Sequence, residues 1–292
     1  MAGRGRLLVV GTPIGNLGDL TPRAAEALRT ADLLVAEDTR MAQRLLAHLS
    51  ARRPSVSLTE HNVGERLPQL LERLAAGETL AMTTDAGMPA VSDPGARLVE
   101  AARAAGASVE ILPGPSAVTA AFAAAGVEAI GFVFGGFLPA RPASARAAAL
   151  ARLIAAAGST GMPLILFEAP HRVLGLLAAL DRLAPRSTIA VCRELTKLHE
   201  QVLVGSRAEV RTALVAPRGE LTLVISHLPA AAGVATADPA AILAIAQEAG
   251  LGRRTSADLL RAAGLPRRAA YRAVQGGEQP PTVESKPRLT GR

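Results

Sequence analysis

The chain has 292 residues, 49% of them apolar, and 32 Lys/Arg against 25 Asp/Glu give a net charge of +7. This length favours two packed domains plus an appendage, and no apolar run approaches the roughly 18 residues a membrane span needs. A single cysteine, Cys192, excludes an internal disulfide and a thiolate-rich zinc site, while the absence of Trp and a lone Tyr271 argue against base stacking on an aromatic platform.

In chain order, Arg4 and Arg6 precede a run, 7–10, too short for an export-signal core, so a cytoplasmic protein is expected. Residues 6–10 predict a strand, and Thr21 with Pro22 supply an N-cap and first-turn proline for a helix through Thr30. Strands are predicted at 32–37, 55–58, 79–83 and 108–112, alternating with helices at 41–49, 63–76 and 94–105. That alternation predicts a largely parallel, doubly wound sheet with its ligand beyond the strands' carboxyl ends.

Past Gly114 the pattern changes. An Ala-rich helix up to 126, strand candidates at 132–137, 163–167, 187–193, 201–204 and 220–226, and helices at 145–157 and 170–183 predict a second α/β domain with a more mixed sheet. After Pro229 an Ala/Gly/Pro linker leads to helices at 240–249, 256–263 and 267–273, a small module of helix-turn-helix character. The expected division is 1–117, 118–229, a basic helical module at 238–275, and a disordered tail at 276–292. From Ala230 onward nine Lys/Arg meet five acids, so this part carries +4 of the net charge. That suits a polyanion such as RNA, and equally a solvated helical face.

Three small-residue loops follow predicted strands. Gly11-Thr12-Pro13-Ile14-Gly15-Asn16-Leu17-Gly18 lacks the Lys-Ser/Thr of a phosphate-binding loop and the spacing of a dinucleotide fingerprint, and its glycines are expected to let a ligand approach the backbone. Residues 84–95 pack two Asp, two Gly and two Pro ahead of a helix. There Asp85 suits a ribose or an amine, and Asp93 suits a helix cap. Leu112-Pro113-Gly114-Pro115-Ser116-Ala117 leaves small residues, and hence free amides, at a helix start. Together they define one ligand crevice.

With Glu37-Asp38-Thr39-Arg40, Glu60-His61-Asn62, Phe167-Glu168-Ala169-Pro170-His171-Arg172 and Cys192-Arg193-Glu194-Leu195-Thr196-Lys197, these loops make seven segments in register. On them the chain resembles the tetrapyrrole-methylase-type S-adenosylmethionine methyltransferases, in particular their ribosomal RNA branch. The precorrin branch is expected to carry Gly-Asp-Pro and Gly-Arg-Gly where this chain reads Asp85-Ala86-Gly87 and Ser92-Asp93-Pro94-Gly95, a departure that speaks against a tetrapyrrole substrate.

The resemblance implies two α/β domains with the cofactor, S-adenosylmethionine, in the cleft between them, a homodimer, and 2′-O-methylation of a cytidine ribose in the decoding region of 16S ribosomal RNA within the small subunit. Cofactor contacts carried over by position fall at Pro13, Asp85, Gly87, Met88, Ser116, Ala117, Phe167, Leu195, Gly219 and Glu220. A base is useful but not obligatory for this transfer, because the sulfonium already activates the methyl; His61, His171, Glu60 and Glu194 are the candidates. RNA contacts are expected at Arg40, Asn62, Arg172 and Lys197, and in the basic module at Arg253, Arg254, Arg267 and Arg268. Arg40 equally suits an ion pair with Asp38. His48, His199 and His227 lack ligand spacing, so no metal is expected. Two rivals are a methylase of the same fold acting on a small molecule or protein, of tetrapyrrole or diphthamide type, and a non-catalytic RNA-binding assembly protein. The loop at Asp85 and the basic module weigh against the first, the intact loops against the second.

Overall fold

The computed structural model describes residues 5–91, 95–214, 217–229, 239–248, 252–262, 265 and 267–275. Asp93 and the 276–292 tail, read from sequence as a cap and a disordered segment, lie outside the described residues.

Strand β1 (Arg6–Val10) is buried on both faces: Leu8 and Val10 join one apolar cluster, Leu7 and Val9 another. Such a strand belongs at the centre of a parallel sheet covered on both sides. It lies between β4 (Thr79–Thr83) and β5 (Ser108–Leu112), with β2 (Leu33–Ala36) and β3 (Ser55–Ser57) beyond β4, giving the all-parallel order β3-β2-β4-β1-β5. Helices α1 (Pro22–Thr30) and α2 (Thr39–His48) cover one face through Leu28, Leu45 and Leu46; α3 (Val63–Ala75) and α4 (Gly95–Ala104) cover the other through Leu70, Leu74 and Leu98. The Thr21 hydroxyl accepts from the Ala24 amide, so the expected cap of α1 is formed.

The second sheet runs β6-β7-β10-β8-β9, from β6 (Val133–Phe137), β7 (Leu164–Glu168), β8 (Thr188–Arg193), β9 (Gln201–Gly205) and β10 (Leu221–Ser226). Only β6 and β7 pair in parallel; the rest are antiparallel, the mixed sheet expected from sequence. Helices α6 (Ala143–Thr160), α7 (Pro170–Leu183) and α8 (Arg207–Ala213) pack on one face. Helix α5 (Ala117–Ala125) packs on the other through Val118, Ala121 and Ala125, against Ile165, Ala190, Cys192 and Val224. Both sheets lie within one unit, Met1–Pro229.

Residues Ala230–Arg292 form a second unit, containing α9 (Pro239–Glu248), α10 (Arg253–Ala262) and α11 (Arg267–Val274), with Ala246, Ala257, Leu260 and Ala270 buried. Helix α10 begins three residues earlier than the hydrophobic pattern indicates, placing the exposed Arg253 and Arg254 in its first turn, the end where cations oppose the helix dipole. Among the described residues no helix is long and apolar enough to cross a membrane.

Helix α8 went unpredicted, although Ser206-Arg207-Ala208-Glu209 spells a capping box. The Ser206 hydroxyl accepts from the Glu209 amide and the Glu209 carboxylate accepts from the Ser206 amide at 2.7 Å. Ser206→Ala is expected to cost about 1 kcal/mol, read as a lowered urea midpoint with an unchanged slope.

Candidate active site

The carboxyl ends of β1, β4 and β5 deliver their loops to one place, where the chain direction across the sheet reverses. Gly11 and Gly114 meet backbone to backbone: a Cβ on Gly11 would lie 2.6 Å from the Gly114 nitrogen, and one on Gly114 would lie 2.8 Å from the Gly11 carbonyl carbon. The sequence assigned Gly11 to ligand approach; its neighbours show that the close approach is between two strands' loops. Thr12 and Gly87 exchange backbone hydrogen bonds of 2.9 and 3.1 Å, stitching the first loop to the one after β4. The Gly87 amide is therefore spent on the loops.

Over this junction lies a cavity of about 490 Å³, within the usual range for a small-molecule site. The first sheet contributes Ile14, Glu37 and residues 84–88. The start of α5 contributes Ser116, Ala117 and Val118; Ser116 makes no side-chain cap bond, so the first-turn amides have no side-chain acceptor. The second sheet contributes Phe137, Phe167, Leu195, Gly219, Glu220 and Thr222. Phe167 packs edge-on against Phe134 at 5.1 Å, with Phe137 at 5.3 Å. Nine of the ten expected cofactor positions line this cavity, and Pro13 lines a neighbouring one.

Among the described residues no Lys or Arg lines the larger cavity, whereas Glu37, Asp85, Glu168 and Glu220 do. Asp85 accepts from the Asp38 amide at 3.1 Å, and burial raises its carboxyl above the usual range. Asp38 caps α2 and is gripped by the Arg40 guanidinium, which holds its carboxyl down at about 2. Arg40 is thus paired, with its side chain 85% exposed. Burial pushes the Cys192 thiol up to about 11, so it stays protonated and unreactive at neutral pH.

Four candidates are held in structural ties. Glu194, at φ +51°, accepts from the Glu220 amide at 2.9 Å and pairs with Lys197 at 3.0 Å; that amide bond foremost holds its carboxyl below the usual range, the wrong direction for a base. Gly219 sits beneath it at φ +80°, where a Cβ would strike the Glu194 carboxylate at 2.3 Å. Lys197 also pairs with Glu220 at 3.1 Å, and its stem lies against Gly15 of the first loop. Arg172, expected at a phosphate, is turned onto Glu168, whose side chain is fully buried and is also paired with Arg146. The Arg172 Nε to Glu168 distance is 2.8 Å, a charge contact without hydrogen-bond alignment. Asn62, expected to contact RNA, is turned onto its own corner, accepting from the Thr59 amide at 2.8 Å and donating to Ser57.

Glu60, His61 and His171 are exposed and line neither cavity. His61 and Glu60 follow the edge strand β3, and His171 lies in the first turn of α7. Arg253, Arg254 and Arg268 are exposed, and the Arg267 side chain lies outside the described residues. Among the described residues no three His, Cys, Asp or Glu side chains gather as a metal site requires. Sequence reasoning missed Glu37, Phe137, Thr222 and the Arg146–Glu168 pair as parts of the site; of these only Glu37 and Glu168 stood within quoted motifs.

The Gly11–Gly114 contact makes a direct prediction. Gly11→Ala forces two backbones apart, and is expected to lower stability by about 1–3 kcal/mol and to weaken any ligand of the larger cavity. A thermal melt and a titration measure the two; an unchanged melt refutes the contact.

With this geometry in view, the likeness to known proteins is specific. Residues 6–211 match the family Tetrapyrrole (Corrin/Porphyrin) Methylases. Ribosomal RNA small subunit methyltransferase I of Xylella fastidiosa (strain Temecula1) is 44% identical over 230 residues, covering 77% of this chain and 82% of that one. Its namesake from Thermotoga maritima is 39% identical over 224 residues, 76% of this chain and 98% of that one. The crystal structure of uroporphyrin-III C-methyltransferase from Thermus thermophilus complexed with S-adenosylhomocysteine superposes with a TM-score of 0.54 at 20% identity, over 77% of this chain and 98% of that one, and shares its fold. The chain belongs to the tetrapyrrole methylase family, on the branch of the ribosomal RNA small subunit methyltransferases I.

Proposed function

We propose that this protein transfers the methyl group of S-adenosylmethionine to 16S ribosomal RNA of the small subunit, at the 2′-hydroxyl of a cytidine in the decoding region. The observation that carries the reading is the 490 Å³ cavity at the loop junction, in a chain 44% identical to a protein named ribosomal RNA small subunit methyltransferase I. It acts as a homodimer in the cytoplasm on this reading.

The residues present fit the cofactor. Glu168 and Glu220 in the lining are already paired with arginines and with Lys197, but Asp85 forms no ion pair among the described residues and favours a ligand bearing ammonium or sulfonium charge, while the open amides at the start of α5 favour its carboxylate. Apolar Ile14, Met88, Phe167 and Leu195 supply surface for the adenine and the methionine chain. When bound, the sulfonium supplies an electrophilic methyl. The protein's part would then be to align the ribose oxygen in line with that methyl and to let the hydroxyl proton pass to solvent. Because Glu60, His61 and His171 line neither cavity, alignment carries this reading and a histidine base does not. The basic module, with exposed Arg253, Arg254 and Arg268, supplies phosphate contacts.

Purified protein, labelled S-adenosylmethionine and small subunits lacking the modification should yield 2′-O-methylcytidine on nucleoside digestion; its absence sinks the proposal. Asp85 also predicts a pH dependence. A cationic ligand binds its ionised form, and its carboxyl is raised by burial, so cofactor affinity should fall as pH drops, beginning above the ordinary carboxylate range. Asp85→Asn should bind the cofactor about tenfold more weakly and with a flat acid limb, both read by calorimetry.

A further inference from the structure

Beside the larger cavity is a second, of about 350 Å³, between the first loop, the start of α2 and the turn after β4. Its wall includes Ile14, the turn at Thr84, Asp85 and Ala86, and Glu220, all of which also line the larger cavity. Direct group transfer brings donor and acceptor atoms within about 3–3.5 Å. The second cavity, sharing this wall, is therefore placed to hold an acceptor for a methyl held in the larger one.

Its lining has the chemistry of a single nucleotide. Leu17 and Met41 are 45% and 40% exposed at its edge, an apolar pair that water covers at a cost. No aromatic residue lines it, and an extruded base is held as well between apolar faces as between rings. Arg44, exposed on α2, lines the same cavity and forms no ion pair among the described residues; its side chain donates to the Met41 sulfur at 3.7 Å and lies near enough to Asp38 to lower that carboxyl. The other cation of the lining, Lys197, is already shared by Glu194 and Glu220. One available guanidinium suits one phosphate; a ligand bearing many carboxylates would face Asp85 and Glu220 with too few cations to balance it.

We propose that the second cavity receives the acceptor nucleotide of the RNA, extruded from its stack, with the base between Leu17 and Met41, a flanking phosphate at Arg44, and the ribose at the shared wall. This rests on the RNA-methylating reading above. Both apolar side chains are exposed, so charged replacements are compatible with folding, which the melting curve verifies.

The test is steady-state methylation of unmodified small subunits by the wild type, the double variant Leu17→Glu/Met41→Glu, Arg44→Ala, and Ile130→Glu, which adds the same charge at a site 97% exposed and outside both cavities. The double variant and Arg44→Ala should each raise the KM for subunits at least tenfold, with the dissociation constant for S-adenosylmethionine within twofold of wild type and Ile130→Glu unaffected. The inference is overturned if the cavity variants keep a wild-type KM, if Ile130→Glu raises it equally, or if cofactor affinity falls in step. A wild type that methylates no RNA overturns the underlying reading and this inference together; an active wild type with unimpaired variants overturns this inference alone.

Discussion

The site depends on one steric constraint, the contact of two backbones at Gly11 and Gly114. Parallel strands β1 and β5 pair directly, so the loops leaving their carboxyl ends must either splay or touch. With no Cβ on either residue they touch, and the Met88 sulfur closes over the same point. The paired Thr12 and Gly87 then hold the loop after β4 against the first one. Asp85 is carried on that held loop, so its position at the wall of both cavities is inherited from backbone packing.

The second sheet is brought to this junction by a different means. The turn after β8 leans on Gly15 through the stem of Lys197, and the same turn is tied to the strand entering β10 by Glu194 and Glu220. Glu194 adopts left-handed backbone, strain that the hydrogen bonds and ion pairs around it offset, while Gly219 beside it takes a positive φ without that cost. At the carboxyl end of β7, Glu168 is buried against two arginines. Removing the acid would leave two guanidiniums without a counter-charge, which makes this pair of contacts an architectural requirement of the β7–α7 corner.

This distribution of charge explains which site residues were legible. Loops rich in Gly, Pro and Ser after strands announced a crevice, and the cofactor positions carried over by resemblance fall around one cavity, apart from Pro13 in its neighbour. Charged motif residues were less legible. Arg172, Lys197, Glu194 and Asn62 read as groups for chemistry or RNA, yet each is turned inward to a partner from its own or a neighbouring loop. A one-dimensional pattern gives residue type and spacing, and a carboxylate offered to substrate looks the same in it as one spent on a backbone amide. Helix α8 shows the converse, since its capping box stood in plain sight while its short apolar pattern did not.

By itself the sequence determined the order of the strands and of the helices other than α8, the change from a parallel to a mixed sheet, the family, and the existence of one crevice at strand ends. Each of these follows from local periodicity, from turn residues, or from motifs in fixed register. Tertiary structure alone decided that Gly11 serves Gly114, that Glu194 takes the Glu220 amide, that the histidine candidates stand away from both cavities, and that a second cavity shares Asp85 with the first. These outcomes join residues up to about two hundred positions apart, and no local pattern encodes which of two suitable partners a side chain meets when the sheets close on one another.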